Sequence, residues 1–366
     1  MPQTLWINQP SELEQRLEHM PERIGLDTEF IRERTFWPKL ALVQMALEDQ
    51  ILLIDPLVPG MAQALSRWLS LPQTLKIMHS ASEDLVAFKH SCGVLPSPLY
   101  DTQVAATLAG IAPSPSYQKL VETTVGALIP KGETRSDWMR RPLSPAQLEY
   151  AADDVRYLFD LHDTTARQLD ILGRSAWLAE DCERMLHNAE QDESEQWPHL
   201  SMRSAQFLDQ PAQARLLRLL RWRDSQARGN DKPRNWILDN ELAVSLARQP
   251  PADYSALQRK LESTPKAPRK LARNIWNAMT AAVPDEAGMP FVRAASDAEK
   301  ITLKRLQQRV SERSAELGLP VGVLASRRQL ETLIEQGQWP KALGQWRREE
   351  LETSLRPALA SAPQDG

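Results

Sequence analysis

Two acids at the end of a predicted strand are the first residues in this sequence that could do chemistry. Asp27 and Glu29 lie near the end of the segment 23–30, and alternate residues of a strand point to one face, so their carboxylates should stand close together. Like charges this close repel unless they share a proton or a cation. The pair suits a hard divalent metal ion, although Asp-x-Glu is also typical of a solvated strand face.

A third acid, Asp84, follows the strand that is predicted at residues 74–78. Ser80 or Ser82 is expected to cap a helix that runs to about His90 and carries Asp84 in its first turn. Ligand sites in α/β sheets favour the carboxyl ends of strands. Acids in a first helical turn also complement the helix dipole, so Asp84 is a candidate metal ligand only in combination with the other acids.

A tyrosine and a fourth acid are predicted one turn apart on a later helix. Ser144 is expected to be its N-cap, with a proline at the first helical position. Tyr150 and Asp154 are four residues apart and therefore share one face. Asp153 is rotated from Asp154 by about 100° and is the poorer candidate.

The segments between these residues predict a mixed α/β sheet. After a short extended start and a helix, apolar runs and turn signals indicate elements in the order βββαβ. The predicted elements are a strand at 4–7, a helix capped by Ser11, an antiparallel meander of strands 23–30, 40–46 and 51–54, a helix at about 60–70, the strand 74–78, and a helix at about 101–110 capped by Asp101 or Thr102.

Four carboxylates without His or Cys favour Mg²⁺ or Mn²⁺ over zinc. Two such ions, about 3.5–4 Å apart, can clamp the attacking and leaving oxygens of an in-line displacement at phosphorus. One ion would generate hydroxide and the other would stabilise the departing 3′ oxygen. The chain carries, in order, an acid pair on a strand, an acid after a later strand and Tyr-x-x-x-Asp on a helix. This order therefore predicts a metal-dependent enzyme that cleaves phosphodiester bonds.

Composition limits the class of protein. A chain of 366 residues predicts two or three domains. Its two cysteines, Cys92 and Cys182, are far apart and indicate neither a disulfide framework nor a zinc site, which fits a reducing compartment. The N-terminus lacks the pattern of a signal peptide and no apolar run approaches a membrane span, so we expect a cytoplasmic protein without a membrane partner.

The charge is distributed unevenly along the chain. Residues 1–200 hold 17 Lys and Arg against 29 Asp and Glu, whereas residues 201–366 hold 27 against 19. Basic surfaces attract nucleic acid by releasing counterions. The asymmetry suggests a metal-collecting catalytic unit joined to a polyanion-binding unit; two domains with unrelated surface charges are the alternative.

Five stretches of the chain resemble the ribonuclease D family, of the DEDDy class of 3′-to-5′ exonucleases, and the resemblance covers nearly the full length. It implies an α/β ribonuclease H-like domain with a mixed sheet at residues 1–195, followed by all-α helical HRDC domains, one at 205–286 and a second, degenerate one at 290–366. The matching stretches are 26–30 (LDTEF), 34–44 (RTFWPKLALVQ), 79–85 (HSASEDL), 136–143 (SDW with RPL) and 150–155 (YAADDV).

The same resemblance implies a divalent-metal-dependent 3′-to-5′ exoribonuclease. It would release nucleoside 5′-monophosphates from RNA 3′ ends and mature tRNA precursors and other stable RNAs. Asp27 would bridge two Mg²⁺ or Mn²⁺ ions, Glu29 and Asp154 would complete the site of the ion that carries the nucleophile, and Asp84 would hold the other ion through water. Tyr150 would orient the attacking water, because a phenol with a pKa near 10 is a poor base.

The predicted HRDC domain supplies candidate RNA contacts. Arg221, Lys232 and Arg234 are of the types that contact phosphates, although solvated arginines are common on helices. Phe36 and Trp37 could stack on a terminal base, but packing in the core of the hairpin is the favoured interpretation. No obligate protein partner is indicated, and removing residues 201–366 is expected to weaken RNA binding while sparing hydrolysis of short oligomers.

Two other classes remain open at this stage. A DNA-directed exonuclease of the proofreading or repair type would share every catalytic residue, because the acids do not contact a 2′-hydroxyl. A non-catalytic nucleic-acid-binding scaffold would be expected to have lost at least one acid, and all four are present.

Overall fold

The computed structural model describes residues 2–19, 21–130, 132–133, 136–191, 194–340 and 343–360, the last four as backbone only. The chain forms two compact units. The first consists of Met1–Ile31, Lys39–Gln191 and Ser296–Gly366, and the second of Arg32–Pro38 and Asp192–Ala295. In the described ranges, no helix is long and apolar enough to cross a membrane.

The first unit is built around a six-stranded mixed sheet in the order β1-β4-β3-β2-β5-β6. Its strands are β1 (Gln3–Ile7), β2 (Arg23–Ile31), β3 (Lys39–Ala46), β4 (Gln50–Ile54), β5 (Leu75–Met78) and β6 (Leu99–Asp101). The β2–β3 and β3–β4 pairs are antiparallel and the other pairs are parallel. The predicted meander and mixed sheet are confirmed, whereas β6 was not predicted because three residues are too few to show a pattern.

Helices cover both faces of this sheet. Consequently every residue of β3 after Lys39 is buried, as expected for a strand with helices on both sides. The helices before the second unit are α1 (Pro10–Arg16), α2 (Met61–Leu69), α3 (Ser82–Cys92), α4 (Thr102–Leu108), α5 (Tyr117–Thr124), α6 (Pro145–Arg156), α7 (Leu158–Leu172) and α8 (Ser175–Gln191).

Two of the predicted helix caps are confirmed. Ser144 and Gln147 form a reciprocal capping box at the start of α6, and Asp101 accepts hydrogen bonds from the first turn of α4. The prediction of Ser11 as a cap is wrong, because Pro10 occupies the first helical position of α1 and Gln9 precedes it. Helix starts were therefore predictable where a side chain closes the cap.

The predicted cap of α3 is also wrong. Neither Ser80 nor Ser82 caps this helix, whose N-cap residue is Ala81 without a side-chain hydrogen bond. Instead the Asp101 carboxylate accepts the backbone N–H of Ala81 at 2.8 Å. A residue from a different strand thus fixes the start of the helix, which no local pattern could indicate.

The second unit is a small helical bundle. Its helices are α9 (Gln210–Gly229), α10 (Arg234–Ile237), α11 (Asn240–Arg248), α12 (Tyr254–Ser263) and α13 (Ala272–Thr280). Leu216, Leu219 and Leu220 of α9 pack with leucines of α11 and α12 in one apolar core. This agrees with the helical character predicted for the chain after residue 205.

The segment Arg32–Pro38, which connects β2 to β3, belongs to the second unit. Phe36 is buried against Ala227 and Ile237, and Asp231 accepts the backbone N–H groups of Phe36 at 2.9 Å and Trp37 at 3.1 Å. The prediction that these aromatic residues pack in the core of the hairpin is therefore wrong. Between β2 and β3 the chain leaves the sheet, so the buried side chain of this segment packs in the second unit instead.

The C-terminal helices pack within the first unit. They are α14 (Asp297–Leu317), α15 (Val321–Leu324), α16 (Arg327–Gln336) and α17 (Gln345–Ala360). Trp346 stacks on Trp177 of α8 with ring centroids 4.3 Å apart, and Arg347 pairs with the buried Asp181 at 2.7 Å. Deleting residues 201–366 would strip part of this core, so the expectation that it spares hydrolysis is withdrawn. An HRDC-like character of residues 290–366 stays a prediction.

Candidate active site

Strand β2 places Asp27 and Glu29 on the face that is covered by α6. The strand is regular up to Glu29, and its register shifts only between Glu29 and Phe30. Leu42, the cross-strand partner of Glu29, packs in one apolar cluster with Ala151 of α6. Since cross-strand partners project from the same face, both carboxylates point toward that helix.

Asp84 reaches the same region from the other side of the sheet. It lies in the first turn of α3 and is only 7% exposed. Thr28, which stands between the two acids of β2 and faces the opposite way, donates its hydroxyl hydrogen bond to Asp84. This bond ties the acid of α3 to the acid-bearing end of β2.

Tyr150 and Asp154 occupy one face of α6. The Tyr150 hydroxyl lies close enough to the Asp154 carboxylate to favour its ionised form, as the four-residue spacing allows. Asp153 instead forms a 2.7 Å ion pair with Arg156. The structure thus separates the neighbouring acids Asp153 and Asp154 into different environments.

The four acids interact electrostatically. Burial raises the pKa of Asp27 well above its usual value, and the negative charges of the other three acids raise it further. Burial and the charges of Asp154 and Asp84 raise the pKa of Glu29 to about 8. The pKa of Asp84 and that of Asp154 are each raised to about 7, chiefly by burial. Four carboxylates from three elements therefore meet at one place, where their charge is costly.

This donor set fits a divalent cation chemically. It is made of hard carboxylate oxygens, and burial together with the neighbouring acids raises the pKa of Asp27 and Glu29, so ionising these acids is costly without a cation. Within the described ranges, however, no three His, Cys, Asp or Glu side chains already form a metal-coordinating group.

Tyr150 is enclosed on one side by the backbone of Gly132. A Cβ atom at that position would lie 2.9 Å from Cδ2 of the Tyr150 ring, closer than carbon atoms normally approach. The absence of a side chain is thus required for the ring to occupy its place. Burial raises the pKa of Tyr150, and the charge of Asp154 raises it further, so the phenol keeps its proton.

Sequence reasoning missed two residues close to the acids. Gln44 is the cross-strand partner of Asp27; it is 0% exposed, and neither atom of its amide has a partner within the described residues. Tyr117 is buried, and its pKa is raised by burial and by the charges of Asp154 and Asp27. Gln44 was detectable from strand register, whereas no local signal singles out Tyr117.

The candidate RNA contacts all lie in the second unit. Arg221 pairs with Asp285 at 2.6 Å and lies over the ring of Trp197. Arg234 pairs with Asp224 at 2.5 Å. Lys232 is exposed. Their role in binding RNA stays a prediction.

Comparison with known proteins assigns both units. A 3′-5′ exonuclease family model matches residues 6–170, and an HRDC domain model matches residues 212–278. The chain is thus a 3′–5′ exonuclease with an HRDC domain. A ribonuclease D from Xanthomonas oryzae pv. oryzae is 62% identical over 98% of this chain and 99% of its own length. The chain belongs to the ribonuclease D family.

More distant relatives agree with this assignment. A ribonuclease D from Pseudomonas paraeruginosa is 33% identical over 99% of both chains. The crystal structure of Escherichia coli RNase D, described as an exoribonuclease involved in structured RNA processing, matches all of both chains with a TM-score of 0.85 and 28% identity. The catalytic core of RRP6 from Trypanosoma brucei shares the fold over 78% of this chain and 80% of its own, with a TM-score of 0.57 and 19% identity.

The predicted fold class and activity are confirmed by these matches. The protein is a 3′–5′ exoribonuclease acting on RNA. A DNA-directed exonuclease and a non-catalytic scaffold are not favoured. Membership of this exonuclease family implies divalent metal ions as cofactors.

Proposed function

We propose that Asp27, Glu29, Asp84 and Asp154 hold two divalent ions, Mg²⁺ or Mn²⁺, and that hydrolysis releases nucleoside 5′-monophosphates. The carrying observation is that Asp84 and Asp154, from two helices, lie close enough to Asp27 and Glu29 of β2 for their charges to raise the pKa of both. Carboxylates that are costly to ionise together gain most from a shared cation. When bound, the ions supply Lewis acidity for water activation and for the leaving 3′ oxygen.

The remaining side chains position the reactants. Tyr150 lies beside Asp154 on α6, so its hydroxyl is placed to hydrogen-bond the attacking water. A phenol with a raised pKa is a poor general base, and its contribution is orientation. Thr28 restrains Asp84 through its hydroxyl, which limits the positions of that carboxylate.

We propose a narrower class of substrate than RNA in general. Precursors of tRNA and other stable RNAs, with short 3′ extensions, fit a 3′–5′ enzyme joined to an HRDC domain. Arg221, Lys232 and Arg234 are proposed to contact their phosphates. A cytoplasmic location is part of this proposal.

One gel experiment tests the catalytic proposal. A 5′-labelled single-stranded RNA and the matched DNA strand are incubated with the full chain and Mg²⁺, Mn²⁺ or a chelator. We expect stepwise shortening of the RNA from its 3′ end only with a divalent ion. Asp27→Ala and Asp154→Asn should abolish it, whereas Asp153→Asn, which alters the adjacent ion-paired acid, should retain it.

Two results would contradict this proposal. Wild-type turnover by Asp27→Ala or Asp154→Asn would remove these acids from the site. Equal digestion in chelator would remove the metal ions from the chemistry. A tRNA precursor with a 3′ extension, compared with the mature tRNA, tests the proposed substrate separately.

A further inference from the structure

A polar cavity of about 350 Å³ lies in the second unit, beside the segment Arg32–Pro38. Three guanidinium groups contribute to its wall, those of Arg32, Arg223 and Arg234. The other polar residues of the wall are neutral, and none of the described residues that line it is acidic. A concave surface with this lining favours an anion.

Arg223 is the most unusual of the three arginines. It is only 9% exposed, and its Nη1 atom donates to the carbonyl of Leu238 at 3.2 Å and to Oδ1 of Asn240 at 2.6 Å. Its Nε atom has no partner among the described residues. A buried guanidinium whose partners are neutral retains an uncompensated charge, and Nε belongs to the edge that binds oxyanions in a bidentate manner.

The nearest acid is already shared. Asp224 receives hydrogen bonds from Arg228 at 2.8 Å, Arg234 at 2.6 Å and the hydroxyl of Ser194 at 2.6 Å. Burial lowers the pKa of Arg223, and the positive charge of Arg234 lowers it further, which outweighs the opposite effect of Asp224 and Asp239. The cluster therefore carries more positive charge than its carboxylate offsets.

The ring of Phe36 helps to hold two arginines of this cluster in place. Arg234 lies 4.6 Å from the ring centroid of the buried Phe36, and Arg228 lies 4.9 Å from it. The Arg32 Nε atom donates to the carbonyl of Phe36 at 2.9 Å. The guanidinium groups are thus positioned before any ligand arrives, which reduces the entropy lost on binding.

We propose that this cavity, walled by Arg32, Arg223 and Arg234, binds a phosphate group. A tetrahedral oxyanion accepts several guanidinium hydrogen bonds at once, and the fork of an arginine matches its geometry. The phosphate has two possible sources, a phosphodiester of bound RNA or free inorganic phosphate. The experiment distinguishes them.

The substitution Asn240→Asp provides a near-isosteric test. It places a carboxylate at the atom that already accepts from Arg223 at 2.6 Å, so it supplies the missing counter-charge from within the chain. We expect it to raise the thermal stability and to suppress phosphate binding, because the new carboxylate compensates Arg223 and repels an anion. Gln258→Glu, on the exposed surface of α12, makes the same change in net charge away from the cavity and is the matched control.

Binding is measured on the full chain in chelator, where RNA is not hydrolysed, so the result is independent of the acid site. The probes are a labelled single-stranded RNA, followed by fluorescence anisotropy at several salt concentrations, and inorganic phosphate, followed by its effect on Tm against chloride at equal ionic strength. For an RNA source, Asn240→Asp should weaken RNA binding by about tenfold and reduce the salt slope by about 0.7 for each lost phosphate contact. For free phosphate, only the rise of Tm with phosphate should disappear.

Either loss, absent in Gln258→Glu, supports the proposal and identifies the source. Unchanged RNA affinity, salt slope and phosphate response in Asn240→Asp would overturn it. The exposed Arg32→Gln serves as a second variant if Asn240→Asp does not fold, and the same outcomes apply to it. A structural role for Arg223 alone predicts the gain in stability without either loss.

Discussion

Replacing Glu29 by glutamine in the metal-free enzyme should stabilise the protein at high pH. The pKa of Glu29 is raised from 4.5 to about 8, so between these values the folded state binds more protons than the unfolded state. Stability due to this group is therefore lost as the pH rises through that window. Because proton binding and folding are linked, the raised pKa of Glu29 lowers the free energy of unfolding by about 4 kcal/mol at pH 8 and by less than about 1 kcal/mol at pH 5.

Differential scanning calorimetry in chelator at pH 8 and pH 5 measures this effect. Because the carboxylate can rotate toward water, we expect at least about 2 kcal/mol of the penalty to be observed, which corresponds to a rise of Tm by about 4 °C or more at pH 8. At pH 5 the variant and the wild type should melt within about 2 °C of each other. Glu22→Gln, at an exposed glutamate just before β2, is the control and should show no such pH dependence.

Adding Mg²⁺ or Mn²⁺ at pH 8 should reverse the order, because the wild-type acids gain a shared cation and Glu29→Gln loses one ligand. An unchanged or lower Tm of Glu29→Gln at pH 8 in chelator would refute the electrostatic account of the acid cluster. An equal rise at pH 5 and pH 8 would refute it as well, since the stabilisation would then not come from the titration of this group.

Three further substitutions test the surroundings of the site and the C-terminal packing. Gly132→Ala should displace the ring of Tyr150, because the new Cβ would lie 2.9 Å from it, and lower kcat on short RNA by about tenfold or more with little change in Tm. Gln44→Met should raise the free energy of unfolding in urea by about 1 kcal/mol or more, because it removes two buried amide atoms that have no hydrogen-bond partner among the described residues. Asp181→Ala should cost about 3–5 kcal/mol in the same assay, because it leaves the buried Arg347 without its carboxylate.

Each of these has a control or a contrary result. Gly288→Ala introduces a Cβ with no neighbour within 4 Å and should leave kcat unchanged; equal losses in both variants would mean that the Tyr150 contact is irrelevant. A destabilised Gln44→Met would show that the amide is hydrogen-bonded in solution. Asp297→Ala, at an exposed acid of α14, should leave the unfolding midpoint in urea nearly unchanged, and an equally small change for Asp181→Ala would contradict the importance of the buried pair.

The parts of the fold that were predictable are those that local rules control. Strand alternation places Asp27 and Glu29 on one face, and the capping box at Ser144 sets the phase of the helix that carries Asp154. The mixed sheet also followed from the order of apolar runs. Each of these depends on residues a few positions apart, where backbone geometry leaves few alternatives.

Apart from the Ser11 cap, which the adjacent Pro10 displaces, the failures involve partners far away in the sequence. The start of α3 depends on Asp101 rather than on a nearby serine. Phe36 belongs to the core of the second unit although it lies between two strands of the first. Trp346 and Arg347 of the C-terminal helices pack against α8 of the first unit, a contact that no local pattern indicates.

The sequence by itself determined which residue types could bind metal and the local faces on which they lie, because helix and strand periods are fixed by the backbone. Only the tertiary structure decided that Asp84 lies on the opposite side of the sheet and accepts a hydrogen bond from Thr28. The same holds for Gln44, which is buried beside Asp27 with no hydrogen-bond partner among the described residues, and for Arg223, which lines a cavity. Burial and electrostatic coupling depend on distances between segments that are remote along the chain, and a linear pattern does not contain those distances.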